Sequence, residues 1–250
     1  MRSMIFAAGL GTRLQAITAG KPKALAEVAG VPLLEHAINY LKSFGISEIV
    51  VNVHHFADQV IDFLEKKKHF GIDLKISDER DFLLETGGGL KKAASLFRGD
   101  EPIVLYNVDI LSSLDLNRML AYHLQEKALA TLAVRKRETS RYLLFDSQMQ
   151  LAGWKDLRSG ELKISRPGPV VEYQEFAFSG IHIINPEIFD LILEEGKFSV
   201  IDLYLRLAQN QGIKAYIDDS ELWFDLGKPE QLTEAGKVVR QFQEKKQTER

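Results

Sequence analysis

The sequence predicts an α/β fold in which a mostly parallel sheet, covered by helices on both faces, is followed by a smaller antiparallel portion. Strand-like and helical segments alternate through residues 1–127, whereas strand-like segments dominate residues 128–184. No linker rich in Pro, Gly or Ser separates the two parts. We therefore expect a single domain over residues 1–250, with halves at 1–127 and 128–236, a charged tail at 237–250, and a pocket between the halves.

Each element of the first half follows from local periodicity. The apolar run at residues 3–8 ends in glycines, as a buried strand does before a loop. Apolar positions at helical spacing alternate with β-branched runs further along the chain. The predicted strands are 3–8, 48–53, 73–76 and 103–108, and the predicted helices are 33–44, 57–67 and 89–97.

The second half has a different character. Its strand-like segments are short and follow one another closely, which indicates antiparallel pairing. Helical spacing returns towards the end of the chain. The predicted strands are 130–134, 141–145, 151–154 and 175–184, and the predicted helices are 186–193, 200–211 and 229–243.

Composition limits the classes of function. The chain has no cysteine, which excludes disulfides, thiolate metal sites and a cysteine nucleophile. Its 32 Lys and Arg residues against 35 Asp and Glu give a formal net charge of -3, so we expect no nucleic-acid partner. The apolar start is too short for a secretory signal, and no run approaches the roughly 20 apolar residues of a membrane span. We expect a soluble, cytoplasmic protein without a membrane partner.

A glycine-rich loop follows the first predicted strand. Gly9 and Gly11 allow backbone N–H groups to approach a triphosphate, and Arg13 and Lys23 can neutralise charge that develops during phosphoryl transfer. A dinucleotide-binding loop would need a third glycine where Leu14 stands and a ribose-binding carboxylate after the second strand, and a Walker loop would need a GK[ST] element. The alternative interpretation is a glycine turn with two solvated cations.

Two aspartates follow apolar strand-like runs. Asp109 comes after residues 103–108, and Asp225 comes after residues 222–224. Ligands of open α/β sheets bind at the carboxyl ends of strands, and paired carboxylates suit Mg²⁺, which prefers oxygen ligands. Alternatively, each carboxylate caps a backbone N–H group at the end of its strand.

Taken together, these motifs resemble the signature of the sugar 1-phosphate nucleotidyltransferases. The segment AAGLGTR…KPKAL at 7–25 matches the phosphate loop of that family, and ETGGG at 85–89 matches its base-contacting segment. Residues 107–109 and 223–227 match its two metal segments. The resemblance extends from Met1 to about Gly236 and implies a Rossmann-like, three-layer core for the nucleotide, with a smaller antiparallel portion for the sugar.

The resemblance also implies roles for individual residues. Two of these residues also have a purely structural interpretation. Asn107 could be a buried amide that links two strands, and Tyr142 could be a core residue. The implied nucleotide-binding residues are Gly9, Gly11, Thr12, Arg13, Lys23, Glu85, Thr86 and Gly87; the sugar-binding residues are Asn107, Tyr142 and Gly180; the Mg²⁺ ligands are Asp109 and Asp225; and the catalytic set is Arg13, Lys23 and Asp109.

Within the family, the ETGGG segment and residues 178–181 are most similar to the N-acetylmuramate 1-phosphate uridylyltransferases. UTP is therefore the first expected nucleotide. Mannose or heptose 1-phosphate guanylyltransferases are the alternative, with GTP, although Glu85 replaces a glycine common in their base loop. Two further departures are Ala16, where a proline is usual, and the missing Glu-Lys-Pro element near Glu172.

The implied reaction needs no general base, because the attacking phosphate oxygen is already ionised. His54 and His55 are therefore left without a catalytic role. A nucleotide-sugar-binding regulatory protein and an NAD(P)-dependent oxidoreductase are the other classes considered, the second being disfavoured by the loop itself. We expect a monomer or a small homo-oligomer.

Overall fold

The computed structural model describes residues 1–11, 20–166, 172–227 and 229–248. Strands and helices alternate through the first half and strands predominate in the middle of the second. The strands are β1 (Arg2–Phe6), β2 (Glu27–Val28), β3 (Val31–Pro32), β4 (Glu48–Val53), β5 (Asp73–Asp78), β6 (Ile103–Asn107), β7 (Ile110–Ser112), β8 (Ala130–Arg135), β9 (Arg141–Phe145), β10 (Leu151–Asp156), β11 (Glu161–Ile164), β12 (Gln174–Ile184), β13 (Ile213–Ile217) and β14 (Trp223–Asp225). The helices are α1 (Leu33–Ser43), α2 (Ala57–Lys66), α3 (Glu85–Ala93), α4 (Leu116–Gln125), α5 (Val200–Leu207) and α6 (Pro229–Thr248).

Ten of these strands form one mixed sheet, in the order β11-β10-β9-β12-β6-β1-β4-β5, with β8 and β13 joined through β12. The pairs that β1 makes with β4 and β6, and the pair of β4 with β5, are parallel. The pairs of β12 with β6, β8 and β9 are antiparallel. The prediction of a mostly parallel core followed by an antiparallel portion is confirmed.

Helices cover both faces of the parallel core, because the strands are apolar on both sides. In β1, Ile5 belongs to the cluster that α1, α2 and α4 complete, whereas Met4 belongs to the cluster that α3 and α5 complete. This alternation makes three layers around the central strand. No helix in the described part of the chain is both long enough and apolar enough to cross a membrane.

Two short features of the fold bring the candidate site together. β7 and β14 pair as a separate two-stranded sheet, with Asp225 opposite Ile110. The register between β12 and β8 shifts between Phe178 and His182, and Gly180 lies in this bulge with a φ of 80°. Bulges re-aim side chains next to binding sites.

Several element predictions were wrong at their boundaries or in type. The helix predicted at 89–97 begins four residues earlier, at Glu85, because the glycines of ETGGG form its first turns. The helix predicted at 186–193 is a 3-10 helix over Pro186–Leu191. Helix α4 was not predicted; Asp115 caps it by accepting hydrogen bonds from two backbone N–H groups of its first turn.

Candidate active site

Two carboxylates and one ammonium group converge just beyond the carboxyl end of β6. A Cβ atom placed on Gly227 would lie 2.9 Å from Asp225 Oδ1 and 3.8 Å from both Asp109 Oδ2 and Lys23 Nζ. Lys23 and Asp109 form an ion pair, and their side chains are only 16% and 21% exposed. Because low exposure weakens solvent screening, these charges act on one another strongly.

The backbone explains why these side chains meet. The Leu226 N–H donates to the Asp109 carbonyl at 2.8 Å, and the Gly227 N–H donates to Asp225 Oδ1 at 3.0 Å. Lys23 opens a short 3-10 helix and packs against Gly11, where an added Cβ would lie 2.9 Å from Lys23 Cβ. With a φ of 63°, Gly11 satisfies both a left-handed turn and this close approach.

The donor chemistry of this cluster fits Mg²⁺. Within residues 1–11, 20–166, 172–227 and 229–248, no group of three or more His, Cys, Asp or Glu side chains could hold a metal ion. Asp109 and Asp225 could offer two oxygen ligands, and Mg²⁺ commonly combines one or two carboxylates with waters and substrate phosphates. This donor set suits an ion shared between the protein and a phosphate-bearing ligand.

A cavity of about 280 Å³ lies beside β1, on the side of α3. Backbone of the glycine loop forms one wall and the start of α3 forms another. We call this region the base side of the cleft, and its lining residues are Phe6, Ala8, Gly9, Asn52, Leu83, Glu85 and Thr86.

The ETGGG segment shapes the α3 wall by packing tightly against the start of α5. The Gly87 N–H donates to the Phe198 carbonyl at 2.9 Å, and Thr86 Oγ1 accepts from the Val200 N–H at 3.0 Å. A side chain on Gly87 would collide with the Phe198 ring, and one on Gly88 would collide with a backbone carbonyl. The glycines therefore serve packing between two helices and leave Thr86 at the cavity.

Glu85 begins α3 in an unusual backbone conformation. Its φ is 59°, in the left-handed region that favours glycine. Its carboxylate lies 3.2 Å from Lys197 Nζ, with about half of each side chain exposed. A non-glycine residue in this region carries a conformational cost of about 1 kcal/mol.

A buried hydrogen-bond network holds the base side from behind. Asn52, at the end of β4, accepts from the Ala7 N–H at 2.7 Å and from the Ala8 N–H at 3.3 Å. Its amide donates to Glu79 Oε1 at 2.7 Å, and the other oxygen of Glu79 accepts from the Leu84 N–H at 3.3 Å. Burial raises the pKa of the Glu79 carboxyl above its usual value, although these hydrogen bonds oppose the rise. The network links the glycine loop to the loop before α3.

Of the residues expected to bind the sugar, the structure brings Asn107 and Gly180 together at the bulge of β12. An added Cβ on Gly180 would lie 2.6 Å from Ile110 and 3.1 Å from Asn107 Nδ2, so only glycine fits there. Tyr142 is half-buried on β9; its hydroxyl accepts from the Thr139 N–H at 3.1 Å. This contact gives the hydroxyl a partner within its own strand connection.

Two residues of the implied phosphate loop, Thr12 and Arg13, lie outside the described residues, as does Ala16. His54 contacts the backbone carbonyl of Glu79 at 2.7 Å, behind the base side, and His55 is exposed. The structure thus groups Lys23, Asp109 and Asp225 beyond the carboxyl end of β6. It places Gly9, Glu85 and Thr86 around the cavity beside β1.

Similarity to known proteins identifies the family of this chain. The family model described as "Nucleotidyl transferase" matches residues 2–242. A curated N-acetylmuramate alpha-1-phosphate uridylyltransferase from Caulobacter vibrioides is 34% identical over 91% of this chain and 92% of its own length. The chain belongs to the nucleotidyl transferase family.

Two further matches extend the comparison. A mannose-1-phosphate guanyltransferase from Yarrowia lipolytica is 28% identical over 92% of this chain, which spans 61% of that relative. The solved structure of a putative glucose-1-phosphate thymidylyltransferase from Bacillus anthracis superposes with a TM-score of 0.77 over 96% of this chain and 95% of that one, at 19% identity. The Rossmann-like fold and the assignment to the sugar 1-phosphate nucleotidyltransferases, a family of enzymes, are therefore confirmed.

For this nucleotidyl transferase, sequence reasoning missed Asn52 and Glu79. The position of Asn52 could have been predicted, because a polar residue near the carboxyl end of a buried parallel strand lies at the ligand edge of the sheet. No local pattern indicated Glu79, since its burial depends on partners from β4 and from the loop before α3. Both residues are buried; Asn52 lines the cavity directly, and Glu79 supports it through hydrogen bonds with Asn52 and with the Leu84 backbone.

Proposed function

We propose that this enzyme transfers uridylate from UTP to N-acetylmuramate 1-phosphate and releases pyrophosphate. The convergence of Lys23, Asp109 and Asp225 beside the glycine loop carries the proposal, because this cluster combines a phosphate-binding cation with two Mg²⁺ ligands. The similarity to a uridylyltransferase over nearly the full length of both chains favours this substrate pair. We further propose that both halves act as one catalytic domain.

In the proposed reaction, an ionised phosphate oxygen of the sugar 1-phosphate attacks the α-phosphorus of UTP in line. A new P–O bond forms while the bond to pyrophosphate breaks, and the electron pair leaves with pyrophosphate. The protein positions the two substrates and stabilises the developing charge. No side chain has to remove a proton, so this reaction requires no catalytic role for His54 or His55.

We call the cluster of Lys23, Asp109 and Asp225, with the glycine loop, the phosphate end of the cleft. Its residues have separate proposed roles. Lys23 and Arg13 would neutralise the triphosphate, and the backbone N–H groups of Gly9, Gly11 and Thr12 would bind the phosphate oxygens. Asp109 and Asp225 would hold Mg²⁺, which when bound supplies charge neutralisation and orientation of the phosphates. Asn107, Gly180 and Tyr142 would face the sugar.

The base side supports UTP over GTP. Glu85 lines the cavity and keeps a side chain at a backbone position that favours glycine. A glycine at this position would leave no side chain at the edge of the cavity, so we propose that Glu85 limits the space for a larger purine. Together with Thr86 and Gly87, Glu85 is proposed to contact the base. A guanylyltransferase acting on mannose or heptose 1-phosphate is the second candidate, since a guanyltransferase is among the relatives.

A matrix of pyrophosphate-release assays tests the proposal. UTP, GTP, CTP and dTTP are each paired, in the presence of Mg²⁺, with the 1-phosphates of N-acetylmuramate, mannose, heptose, glucose and N-acetylglucosamine. We expect the highest kcat/KM with UTP and N-acetylmuramate 1-phosphate. A maximum with GTP and mannose or heptose 1-phosphate would establish the second candidate instead.

A further inference from the structure

Two arginines flank the Trp223 ring near the metal ligands. The Arg137 Cζ lies 4.6 Å from the ring centroid, and the Arg135 Cζ lies 5.8 Å from it. The Trp223 indole N–H donates to the Ser179 carbonyl at 3.0 Å, which fixes the ring beside the bulge of β12. The two guanidinium groups therefore share one aromatic support, and their other contacts distinguish them.

The guanidinium of Arg135 is paired with groups of the protein itself. It lies 3.0 Å from the carboxylate of Asp218, whose side chain is completely buried, and it donates to the Ser220 carbonyl at 2.9 Å. In this buried ion pair each charge has a partner of opposite sign. Arg135 therefore has a structural role, because its charge is already paired with that of Asp218.

Arg137 has no such partner. In the part of the chain that the structure describes, no carboxylate lies within 4.0 Å of its guanidinium. Its hydrogen bonds go to the carbonyls of Phe178 at 3.3 Å and Glu138 at 3.4 Å, both long, and its buried Nε has no acceptor among those residues. A half-buried guanidinium with unused donors is costly unless an anion completes its contacts.

The position of Arg137 places these donors between two parts of the site. Arg137 packs on the ring of Trp223, which lies two residues before Asp225 in β14, and it donates to the Phe178 carbonyl beside the bulge of β12. Arg137 therefore lies close to one proposed Mg²⁺ ligand and to the bulge that holds Gly180. Burial lowers the pKa of its guanidinium, while nearby Asp225 raises it. Its planar fork suits an oxyanion that it can bind through two N–H groups.

We propose that Arg137 binds an oxyanion of the sugar 1-phosphate substrate, either its phosphate or a carboxylate carried by the sugar. This inference rests on the proposed function and adds the residue that recognises the acceptor's negative charge. Proximity to Asp225 favours the phosphate, which must approach the metal ligands for the reaction to occur. Arg137 then contributes to KM for the sugar substrate and not to KM for UTP.

The test compares Arg137→Met, Arg137→Lys and Arg118→Ala. Methionine keeps an unbranched stem against Trp223 and removes the donors, lysine keeps the charge without the fork, and Arg118 is an 81% exposed arginine on α4. Arg137→Met should raise KM for N-acetylmuramate 1-phosphate about 10- to 100-fold, the range expected for lost hydrogen bonds to a charged group. For the same substrate, KM of Arg137→Lys should lie between those of Arg137→Met and the parent protein, and KM of Arg118→Ala should equal that of the parent protein. In all variants KM for UTP should stay within about twofold of the parent value.

Repeating the assay with N-acetylglucosamine 1-phosphate, as a substrate or a competitive inhibitor, identifies the oxyanion, because this sugar lacks the carboxylate. Weakening with both sugars assigns the phosphate, and weakening only with N-acetylmuramate 1-phosphate assigns the carboxylate. An unchanged KM for the sugar in both Arg137 variants, or an equal rise for UTP, would overturn the proposal. If the parent protein instead prefers another substrate pair, the proposed function fails, and the same variants are assayed with that pair.

Discussion

The two ends of the cleft are built by different physical means. The base side is formed by backbone and by the buried Asn52–Glu79 network, whereas the phosphate end is formed by charged side chains around Gly227. Hydrogen bonds in the interior fix a shape, whereas the Lys23 cation, and Mg²⁺ if the two aspartates hold it, would stabilise negative charge that develops in the reaction. Substitutions at the base side should therefore affect nucleotide affinity and stability, and substitutions at the phosphate end should affect turnover.

The largest effect is expected from Asp109→Asn. Asparagine keeps the shape of the side chain and leaves the backbone contact with Leu226 in place, but it removes a negative ligand. We expect kcat to fall about 1000-fold, as when one preorganised electrostatic group is lost from an active site. The measurement is pyrophosphate release at saturating substrates, with thermal unfolding to verify the fold.

Asp219→Asn is the matched control, because this aspartate is exposed and lies in the loop after β13. It should retain the parent turnover. More than about a tenth of the parent kcat in Asp109→Asn would contradict an electrostatic role for the phosphate end.

Asn52→Ala tests the base side in the opposite way. It leaves the N–H groups of Ala7 and Ala8 without their buried acceptor and removes a donor from Glu79. We expect the free energy of unfolding to fall by about 2–3 kcal/mol, the cost of buried groups left unpaired. KM for the nucleotide should rise more than kcat falls, because the glycine loop loses its support. Denaturant unfolding and steady-state kinetics measure the two effects.

Asn117→Ala, at an exposed position of α4, controls for the loss of an amide. A drop in kcat with an unchanged KM for UTP in Asn52→Ala would remove the distinction between the two ends of the cleft.

This difference also explains how far the sequence could predict the site. Asp109 follows a long apolar strand, so its position at the ligand edge was predictable. The meeting of Asp109 with Asp225 depends on β7 and β14, which have three residues each and are too short to show a periodic pattern. Arg137 lies in a charged run at 135–138 that is typical of a solvated face, and its burial arises from contacts with Phe178 and Trp223.

The fold was easier to predict than the site for the same reason. Long apolar strands such as β4 and amphipathic helices such as α1 carry their pattern within one segment. The start of α3 was predicted wrongly because glycine has a low helix propensity, while here the N–H groups of Gly87 and Gly88 donate to the distant Phe198 carbonyl. Structure that depends on a distant partner leaves no local pattern in the chain.

Glu85→Gly is expected to widen the base side. Glycine adopts a φ of 59° without a steric cost, so the free energy of unfolding should rise by up to about 1 kcal/mol. The kcat/KM ratio of GTP to UTP should rise about tenfold, since the side chain that lines the cavity is gone. Lys127→Gly, also at a left-handed position with a φ of 48° but exposed and away from the cleft, should share the stability effect only. An unchanged nucleotide ratio in Glu85→Gly would show that Glu85 does not select the base.

The smallest expected effect is the pH dependence of the free energy of unfolding that arises from Glu79, behind the base side. Because burial raises the pKa of Glu79 above its ordinary value of 4.5, the folded state binds a proton at this carboxyl more strongly than the unfolded state does. The stabilising contribution is complete below about pH 4.5 and is lost as the pH rises through the folded pKa.

In Glu79→Gln the group no longer titrates. The free energy of unfolding of the parent protein should therefore decline relative to that of Glu79→Gln as the pH increases from about 4.5 towards 8, measured by denaturant unfolding at several pH values. A constant difference between the two proteins across this range would mean that Glu79 titrates alike in both states, and that the hydrogen bonds from Asn52 and Leu84 fully offset its burial.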